Sequence, residues 1–181
     1  MNKQLADLRA YLKHGGVIAY PTESCYGLGC DPRNRAAVQK ILRLKHRPWH
    51  KGLILVAASL RQVRRFVQPL SPAQQTTLNR HWPGPYTFLL PISKHAPKQV
   101  TGKHRTLALR VSAHPQVARL TRMLGPLVST SANVAGGKPL TRADAVRRAF
   151  GAAVRVLPGR IGKHKKPSVI IDLESGNKLR G

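Results

Sequence analysis

Short apolar runs alternate with longer amphipathic segments along the chain. Apolar runs bounded by turn residues predict buried strands over 17–20, 53–56, 86–90, 107–111, 127–128, 154–157 and 169–173. Apolar residues at three- and four-residue spacing predict helices over 3–14, 32–44, 60–66, 72–80, 115–123 and 142–150. Because helices separate most of the strands, the pattern favours an α/β sheet with helices packed against it.

Polar residues at the predicted helix starts refine these boundaries. Asp31, Ser59 and Ser71 each precede a helical segment as N-caps do, and Thr141 with Asp144 has the spacing of a capping box. Glycine, proline and clustered cations mark stretches that we expect to be irregular. These are the loop 21–29, the turn 82–85, the basic surface loop 93–105 and the turn 175–177.

A cationic turn between a helix and a strand is the first candidate for chemistry. Lys45, Arg47 and Lys51 lie between the end of a predicted helix and the apolar run 53–56, and Pro48 biases the residue before it away from helical angles. Packed elements at both ends would hold these charges in place, so the turn can bind a multiply charged anion. The same residues also suit ordinary solvated surface, since Lys and Arg occur throughout the chain.

The net charge is the unusual feature of the composition. The 181 residues include 32 Lys and Arg against 6 Asp and Glu, which gives a formal charge of +26. A chain this basic attracts polyanions, so the composition favours contact with RNA. Aromatic residues make up only 5% of the chain, so stacking platforms for bases are scarce.

Cysteine content and hydropathy restrict the class of protein further. Cys25 and Cys30 are the only cysteines, which excludes a disulfide framework and a four-thiolate zinc site. No apolar run approaches the roughly 18 residues that span a membrane, and residues 1–16 contain no unbroken apolar segment typical of a secretory signal. We therefore expect a cytoplasmic protein with one domain over residues 1–181.

Polar side chains near predicted strands supply further candidates. The segment 129–133 offers hydroxyls and an amide directly after a strand, and ligands of open α/β sheets bind at the carboxyl ends of strands. The same groups can instead satisfy the backbone of a polar turn. Arg110 lies inside the apolar run 107–111. Its side chain must reach solvent or meet an anion, because a buried unpaired charge is very costly.

Familiar nucleotide-binding and hydrolytic motifs are missing from the sequence. It contains no GxxxxGK[ST], no GxGxxG after a strand and no HExxH. Glu23, Asp31 and Asp172 are isolated carboxylates, so the sequence does not favour a carboxylate pair for acid–base catalysis. Cations and hydroxyls instead suit positioning and charge neutralisation, which largely catalyse phosphoryl and nucleotidyl transfer.

Six short motifs occur in order along the chain, namely PTESCYGL at 21–28, LKHRP and KGL within 44–53, WPGPYT at 82–87, ALRV at 108–111, STSAN at 129–133 and PSVIID at 167–172. Taken together, they resemble the YrdC/TsaC family of L-threonylcarbamoyladenylate synthases. The Lys-x-Arg turn together with Ser-x-Asn is the signature of that family. The resemblance covers nearly the whole chain.

The resemblance implies a single YrdC-like domain, a twisted mixed sheet flanked by helices with a concave, positively charged cavity. It implies a reaction that joins L-threonine, bicarbonate or CO2 and ATP to give threonylcarbamoyl-AMP and pyrophosphate. The product would pass to a TsaD-type complex, which modifies the N6 of the adenosine beside the anticodon in tRNA. Mg2+ is expected with the ATP, held by phosphates and water rather than by a protein metal site.

The resemblance also implies roles for individual residues. A carbamate formed from threonine would attack the α-phosphorus of ATP, so cations must offset the repulsion between two anions. Lys45 and Arg47 are assigned as catalytic residues, and Thr22 and Tyr26 as the threonine pocket. The residues assigned to ATP and phosphate binding are Lys45, Arg47, Lys51, Arg110, Ser129, Ser131, Asn133 and Ser168.

Two other functions stay open from the sequence. One is an RNA-binding factor of ribosome or rRNA maturation without catalysis. RNA binding requires cations but not the uncharged set in distant loops, which favours the enzyme; that set is Thr22, Ser129, Ser131, Asn133 and Ser168. The other is a hydrolase acting on carbamoyl-phosphate-like substrates, which is disfavoured because no hydrolytic base or metal cluster is visible. Contact with tRNA or rRNA is compatible with the enzyme as well.

Overall fold

A computed structural model describes residues 3–134, 136–164 and 166–180 of the chain. The strands in these residues are β1 Ile18–Pro21, β2 Tyr26–Gly29, β3 Ile54–Ala57, β4 Tyr86–Pro91, β5 Thr106–Val111, β6 Leu127–Ser131, β7 Arg155–Val156, β8 Val169–Asp172 and β9 Lys178–Arg180. The α-helices are α1 Lys3–Lys13, α2 Arg35–Leu44, α3 Pro72–His81, α4 Lys98–Thr101, α5 Pro115–Leu124 and α6 Ala143–Phe150. Three 3-10 helices span Trp49–Lys51, Leu60–Phe66 and Gly151–Ala153.

All of these strands belong to one mixed sheet in the order β7-β1-β2-β6-β3-β5-β4-β8-β9. The pairs β1–β7, β3–β5 and β4–β8 are parallel, and the remaining pairs are antiparallel. The prediction of an α/β sheet flanked by helices is therefore confirmed. Each helix in the described residues is too short or too polar to cross a bilayer.

Helices cover both faces of the sheet because alternate residues of the central strands point to opposite sides. In β3, Leu55 joins a large cluster with buried residues of α2, α3, α4 and α6. The next residue, Val56, joins a smaller cluster with Leu12 of α1 and Val117 of α5. The helices on this side do not cover the whole sheet face. The candidate site described below lies on the uncovered part, next to Val56.

The segment 21–29, predicted as a loop, contains a strand. Residues 26–29 form β2, which pairs with both β1 and β6. Its glycines allow close packing on the sheet face, because a Cβ at Gly27 would lie 3.1 Å from Thr22 Cγ2 and one at Gly29 would lie 2.6 Å from Val128 O. The glycines that suggested a loop therefore allow neighbouring residues to pack closely against a strand.

Two predicted helix starts are wrong. Asn34, not Asp31, caps α2 by accepting a bond from the Ala37 amide at 3.0 Å, while the Asp31 carboxylate binds Arg33. The predicted capping box at Thr141 does not form: α6 begins after Arg142, and Asp144 pairs instead with two arginines. In both cases a nearby guanidinium competes successfully for the carboxylate.

Of the other predicted boundaries, one is confirmed and several differ from the structure. Ser71 and Gln74 form a complete capping box at α3, as the Ser71 cap predicted. The segment 60–66 is a 3-10 helix that Ser59 does not cap through its side chain. The segment 93–105, predicted as a basic surface loop, contains the short helix α4, and its residue Val100 is fully buried. Strand β9 was not predicted; it follows the turn 175–177 and pairs with β8.

Candidate active site

A cavity of about 730 Å³ opens on the sheet face that carries Val56, beside Val117 of α5. Its lining comes from the β1–β2 loop, the α2–β3 turn, strand β3, the ends of β5 and β6, helix α5, the described residues between β6 and α6, the segment before β8 and strand β9. Among the described lining residues are six fixed cations and one carboxylate, namely Lys45, Arg47, Lys51, Arg110, Lys138, Arg180 and Glu23. Such a lining favours anionic ligands.

The C-terminus of α2 places the Lys-x-Arg turn at this cavity. The amide of His46 donates to Arg43 O at 3.0 Å, and the amide of Arg47 donates to Leu42 O at 2.9 Å. These two bonds form a Schellman motif, and His46 adopts the left-handed conformation that the motif requires, with φ 46°. The chain therefore reverses between Lys45 and Arg47 while both side chains line the cavity.

Lys45 is buried and tightly held, with only 7% of its surface exposed. Its ammonium donates to Ser131 O at 2.6 Å, to Asn133 O at 2.9 Å and to Asn133 Oδ1 at 2.9 Å. Burial and, to a lesser degree, repulsion from Arg47 lower the pKa of Lys45 to about 8. The two halves of the signature therefore contact each other directly, although they lie far apart in sequence.

Arg47 is half-buried, and its contacts differ from those of Lys45. Its Nε donates to Gly52 O at 3.0 Å and its Nη2 to Lys51 O at 3.2 Å. Burial lowers the pKa of Arg47. A guanidinium has five N–H groups, so Arg47 keeps donors for a ligand beyond its bonds to the described residues. Lys51 is exposed at the rim of the cavity.

Arg110 meets an anion inside the protein, one of the two outcomes that its position in an apolar strand allows. Its Nη2 lies 2.6 Å from Glu23 Oε1, and its Nε donates to Gly84 O at 3.0 Å. Ser112 Oγ also donates to Glu23 Oε1 at 2.7 Å. Burial lowers the pKa of Arg110, and the charge of Glu23 opposes this effect. Glu23 therefore belongs to the cavity wall, next to Thr22, although the sequence showed it only as an isolated carboxylate.

Of the two residues predicted for the threonine pocket, one lines the cavity and the other does not. Thr22 lines the cavity and donates to Cys25 O at 2.8 Å. Tyr26 lies outside the described lining: it is 1% exposed, and its hydroxyl donates to Gly159 O at 2.9 Å. The contacts of Tyr26 are those of a core residue, so its assignment to a ligand gains no support.

Strand β9 adds a cation that sequence reasoning missed. Arg180 donates through Nη2 to Ser168 O at 3.0 Å and to Ser168 Oγ at 3.2 Å, and it lines the cavity. Ser168 also exchanges a 2.9 Å hydrogen bond with Thr87 and is buried. Because β9 lacks an apolar run, the sequence offers no periodic signal for placing Arg180 here.

Nine of the ten predicted site residues thus share one cavity, which contains Thr22, Lys45, Arg47, Lys51, Arg110, Ser129, Ser131, Asn133 and Ser168. They come from segments that are distant in the chain and adjacent in the sheet. The arrangement can surround a polyanion with cations.

Comparisons with known proteins identify the relatives of this chain. The family model Sua5_yciO_yrdC, described as telomere recombination, matches residues 10–180. The chain is 57% identical over 173 residues to threonylcarbamoyl-AMP synthase of Chromobacterium violaceum, covering 95% of this chain and 90% of that protein. It is 56% identical to the protein of the same name from Laribacter hongkongensis, covering 95% and 93% of the two chains.

A solved structure shares the fold. The crystal structure of P. abyssi Sua5 complexed with L-threonine superposes with a TM-score of 0.87 at 29% identity. The alignment covers 97% of this chain and 52% of that one, so this chain spans about half the length of the Sua5 protein. With the family model covering nearly every residue, the chain belongs to the Sua5/YciO/YrdC family.

Proposed function

We propose that this protein is a threonylcarbamoyl-AMP synthase, which joins L-threonine, bicarbonate or CO2 and ATP. The observation that carries this proposal is the convergence of the Lys-x-Arg turn and the Ser-x-Asn segment in one cationic cavity. Threonylcarbamoyl-AMP synthases that match nearly the whole chain at 57% and 56% identity support it. The product would serve N6-threonylcarbamoyladenosine formation in tRNA.

The chemistry requires two anions to react. The amine of threonine adds to CO2 and loses one proton to solvent to give a carbamate, and a carbamate oxygen forms a bond to the α-phosphorus of ATP. The bond from that phosphorus to the bridging oxygen breaks, and pyrophosphate leaves with the electron pair. Two like unit charges 4 Å apart repel by about 4 kcal/mol at an effective dielectric constant of 20, which is large enough to oppose the reaction strongly.

The cations of the cavity would offset this repulsion. Arg47 has N–H groups beyond its bonds to the main chain, so it suits direct donation to phosphate oxygens. Lys45 would contribute fixed charge close to the same place, and Lys51 and Arg110 would extend the positive lining along the cavity. Ser129 and Thr22, which also line the cavity, would orient the uncharged parts of the substrates.

Mg2+ would enter with ATP rather than occupy a protein metal site. The described residues contain no group of three or more His, Cys, Asp or Glu that could hold a metal ion. The cavity carboxylate, Glu23, is already bound to Arg110 and Ser112. These residues therefore do not fit a metal centre, and phosphate oxygens and water, which Mg2+ readily retains, are its proposed ligands.

The remaining partners are part of the same proposal. Transfer to a TsaD-type complex would require the product to leave through the open side of the cavity. We place the protein in the cytoplasm.

Contact with tRNA or rRNA is a separate part of the proposal. The exposed arginines outside the cavity, such as Arg61, Arg64 and Arg65, favour such contact. Binding that weakens steeply as salt rises would support RNA contact, whereas salt-independent binding or no binding would contradict it.

Pyrophosphate release from ATP and Mg2+ tests the enzymatic function. We expect release that requires both L-threonine and bicarbonate. The variants Lys45→Ala and Arg47→Ala should lose most of this activity while keeping a normal circular dichroism spectrum, and Arg61→Ala, outside the cavity, is the matched control with normal release. Folded protein without threonine-dependent release would overturn the proposal and favour the RNA-binding alternative.

A further inference from the structure

The ammonium of Lys45 has no N–H group left for a phosphate. A lysine ammonium has three donors, and Lys45 directs them to Ser131 O, Asn133 O and Asn133 Oδ1 at 2.6, 2.9 and 2.9 Å. All three acceptors belong to the segment 131–133. Lys45 can therefore donate to an anion only if one of these acceptors gives way.

The side chain of Asn133 is equally committed. Its Oδ1 accepts from Lys45 and, at 2.5 Å, from Ser131 Oγ. Its Nδ2 donates to Val134 O and Gly137 O, each at 2.9 Å. An amide side chain has two donor and two acceptor sites, so these four bonds use its full capacity. They also fix the orientation of the amide, since two donors meet the oxygen and two carbonyls meet the nitrogen.

The three acceptors on Lys45 differ in how easily they can move. Ser131 O belongs to β6, which is paired with β2, and the next residue, Ala132, donates to Tyr26 O at 2.7 Å. Asn133 O is part of the same main chain. Asn133 Oδ1 is the acceptor on a side chain, which can turn about its own bonds without disturbing the sheet.

We propose that Asn133 is a positioning residue for Lys45: its side-chain oxygen holds the third N–H of Lys45, and a phosphate oxygen of ATP exchanges with it on binding. This inference rests on the proposed function, because it identifies ATP as the anion. Lys45 and Arg47 would then bind ATP differently. Arg47 has N–H groups beyond its bonds to Gly52 and Lys51, whereas Lys45 must first exchange its bond to Asn133. It also gives the Ser-x-Asn segment an indirect role, in contrast to the ATP contact assigned to Asn133 from sequence.

The pKa of Lys45 depends on this arrangement. Charged or titratable groups that share the cavity with Lys45 come from several segments, namely Glu23, Cys25, His46, Arg47, Lys51, Arg110, Lys138 and Arg180. Most are cations and disfavour the charged form of Lys45, whereas the three oxygens favour it. Removing the side-chain oxygen should therefore release the proton at lower pH, and replacing it with a carboxylate should retain the proton to higher pH.

The experiment measures the titration of Lys45 directly, by competitive labelling with an amine-directed reagent across pH and mass spectrometry of the Lys45 peptide. Wild type, Asn133→Ala and Asn133→Asp are compared, and exposed Lys13 in the same molecules serves as the internal standard. We expect the Lys45 midpoint to fall by about one pH unit in Asn133→Ala and to rise by at least as much in Asn133→Asp. The upper limb of the pH–rate profile should move in the same directions.

ATP binding in the absence of threonine supplies the second readout. At roughly pH 6, below the Lys45 midpoint expected in both proteins, Asn133→Ala should keep the ATP dissociation constant within about twofold, because the lost oxygen is one that ATP must displace. A tenfold weaker affinity with an unchanged Lys45 midpoint would make Asn133 a direct ATP ligand and overturn the proposal. A midpoint that moves the same way in both variants would also overturn it, since loss of the bonds to Val134 and Gly137 would then be the cause. The Lys45 titration is measurable even if the protein released no pyrophosphate, so the two proposals fail separately.

Discussion

The ion pair between Arg110 and Glu23 makes a quantitative prediction about stability. The two side chains are 13% and 11% exposed, and Arg110 Nη2 lies 2.6 Å from Glu23 Oε1. In the variant Glu23→Gln the shape of the side chain is kept, but Arg110 remains buried without a counter-charge. Removing one partner of a buried pair costs about 3–5 kcal/mol.

Thermal and urea unfolding measure this loss. For a protein of this size, each kcal/mol lowers the melting temperature by about 2–4 °C, so Glu23→Gln should melt about 10 °C below wild type. Arg110→Met should also destabilise, because Glu23 is then unpaired. The double variant should regain most of the stability, since neither charge remains, and a double-mutant cycle should give a coupling energy of at least about 2 kcal/mol.

The activity of the double variant separates stability from function. If Arg110 also contributes positive charge to the substrate cavity, the refolded and stable double variant should still release little pyrophosphate. Single-variant effects that add within about 0.5 kcal/mol would refute the argument that burial makes this pair interdependent. A stable double variant with wild-type activity would remove Arg110 from the substrate site.

Three further predictions concern the same region. His46→Val should lower the free energy of unfolding in urea by about 1–2 kcal/mol, because His46 has a left-handed φ of 46°, whereas His46→Gly should cause no comparable loss. Pyrophosphate release should fall as pH rises through about 8, because Lys45 loses its charge there, and Lys45→Arg should abolish that fall in whatever activity remains. Tyr26→Phe should cost about 1 kcal/mol through the lost bond to Gly159 with an unchanged KM for threonine; a tenfold higher KM would restore Tyr26 to the threonine pocket.

Periodicity predicted the elements that bury a continuous apolar face. Strands such as β3 and β5 and helices such as α2 follow directly from runs of Leu, Ile and Val, because burial of those side chains decides the structure locally. Strand β2 and strand β9 escaped prediction for opposite reasons. The first is rich in glycine because its neighbours approach too closely for a Cβ, and the second is exposed and polar, so its position depends on pairing with β8 rather than on burial.

The part of the site that could be predicted consists of residues whose chemistry is clear from their immediate sequence context. Fixed cations in a structured turn and an arginine in an apolar strand both indicate an anion, and both lie at the cavity. The sequence could not indicate which anion Arg110 meets, because Glu23 is brought to it by the fold. It could not place Arg180 either, because that arginine reaches the cavity only through the pairing of β9 with β8.

The signature motifs illustrate a more general limit. Lys45 is separated from Ser131 and Asn133 by more than eighty residues, so a sequence presents them as two independent sets of ligand-binding groups. The structure joins them through three hydrogen bonds from one ammonium, and the side chain of Asn133 has no bonding capacity left over. Two motifs that occur together can therefore do so because each holds the other in place. In that case, at a pH above the lowered Lys45 midpoint of Asn133→Ala, the loss of either one removes the same charge from the cavity, and activity measurements on single substitutions at that pH would wrongly assign both to the ligand.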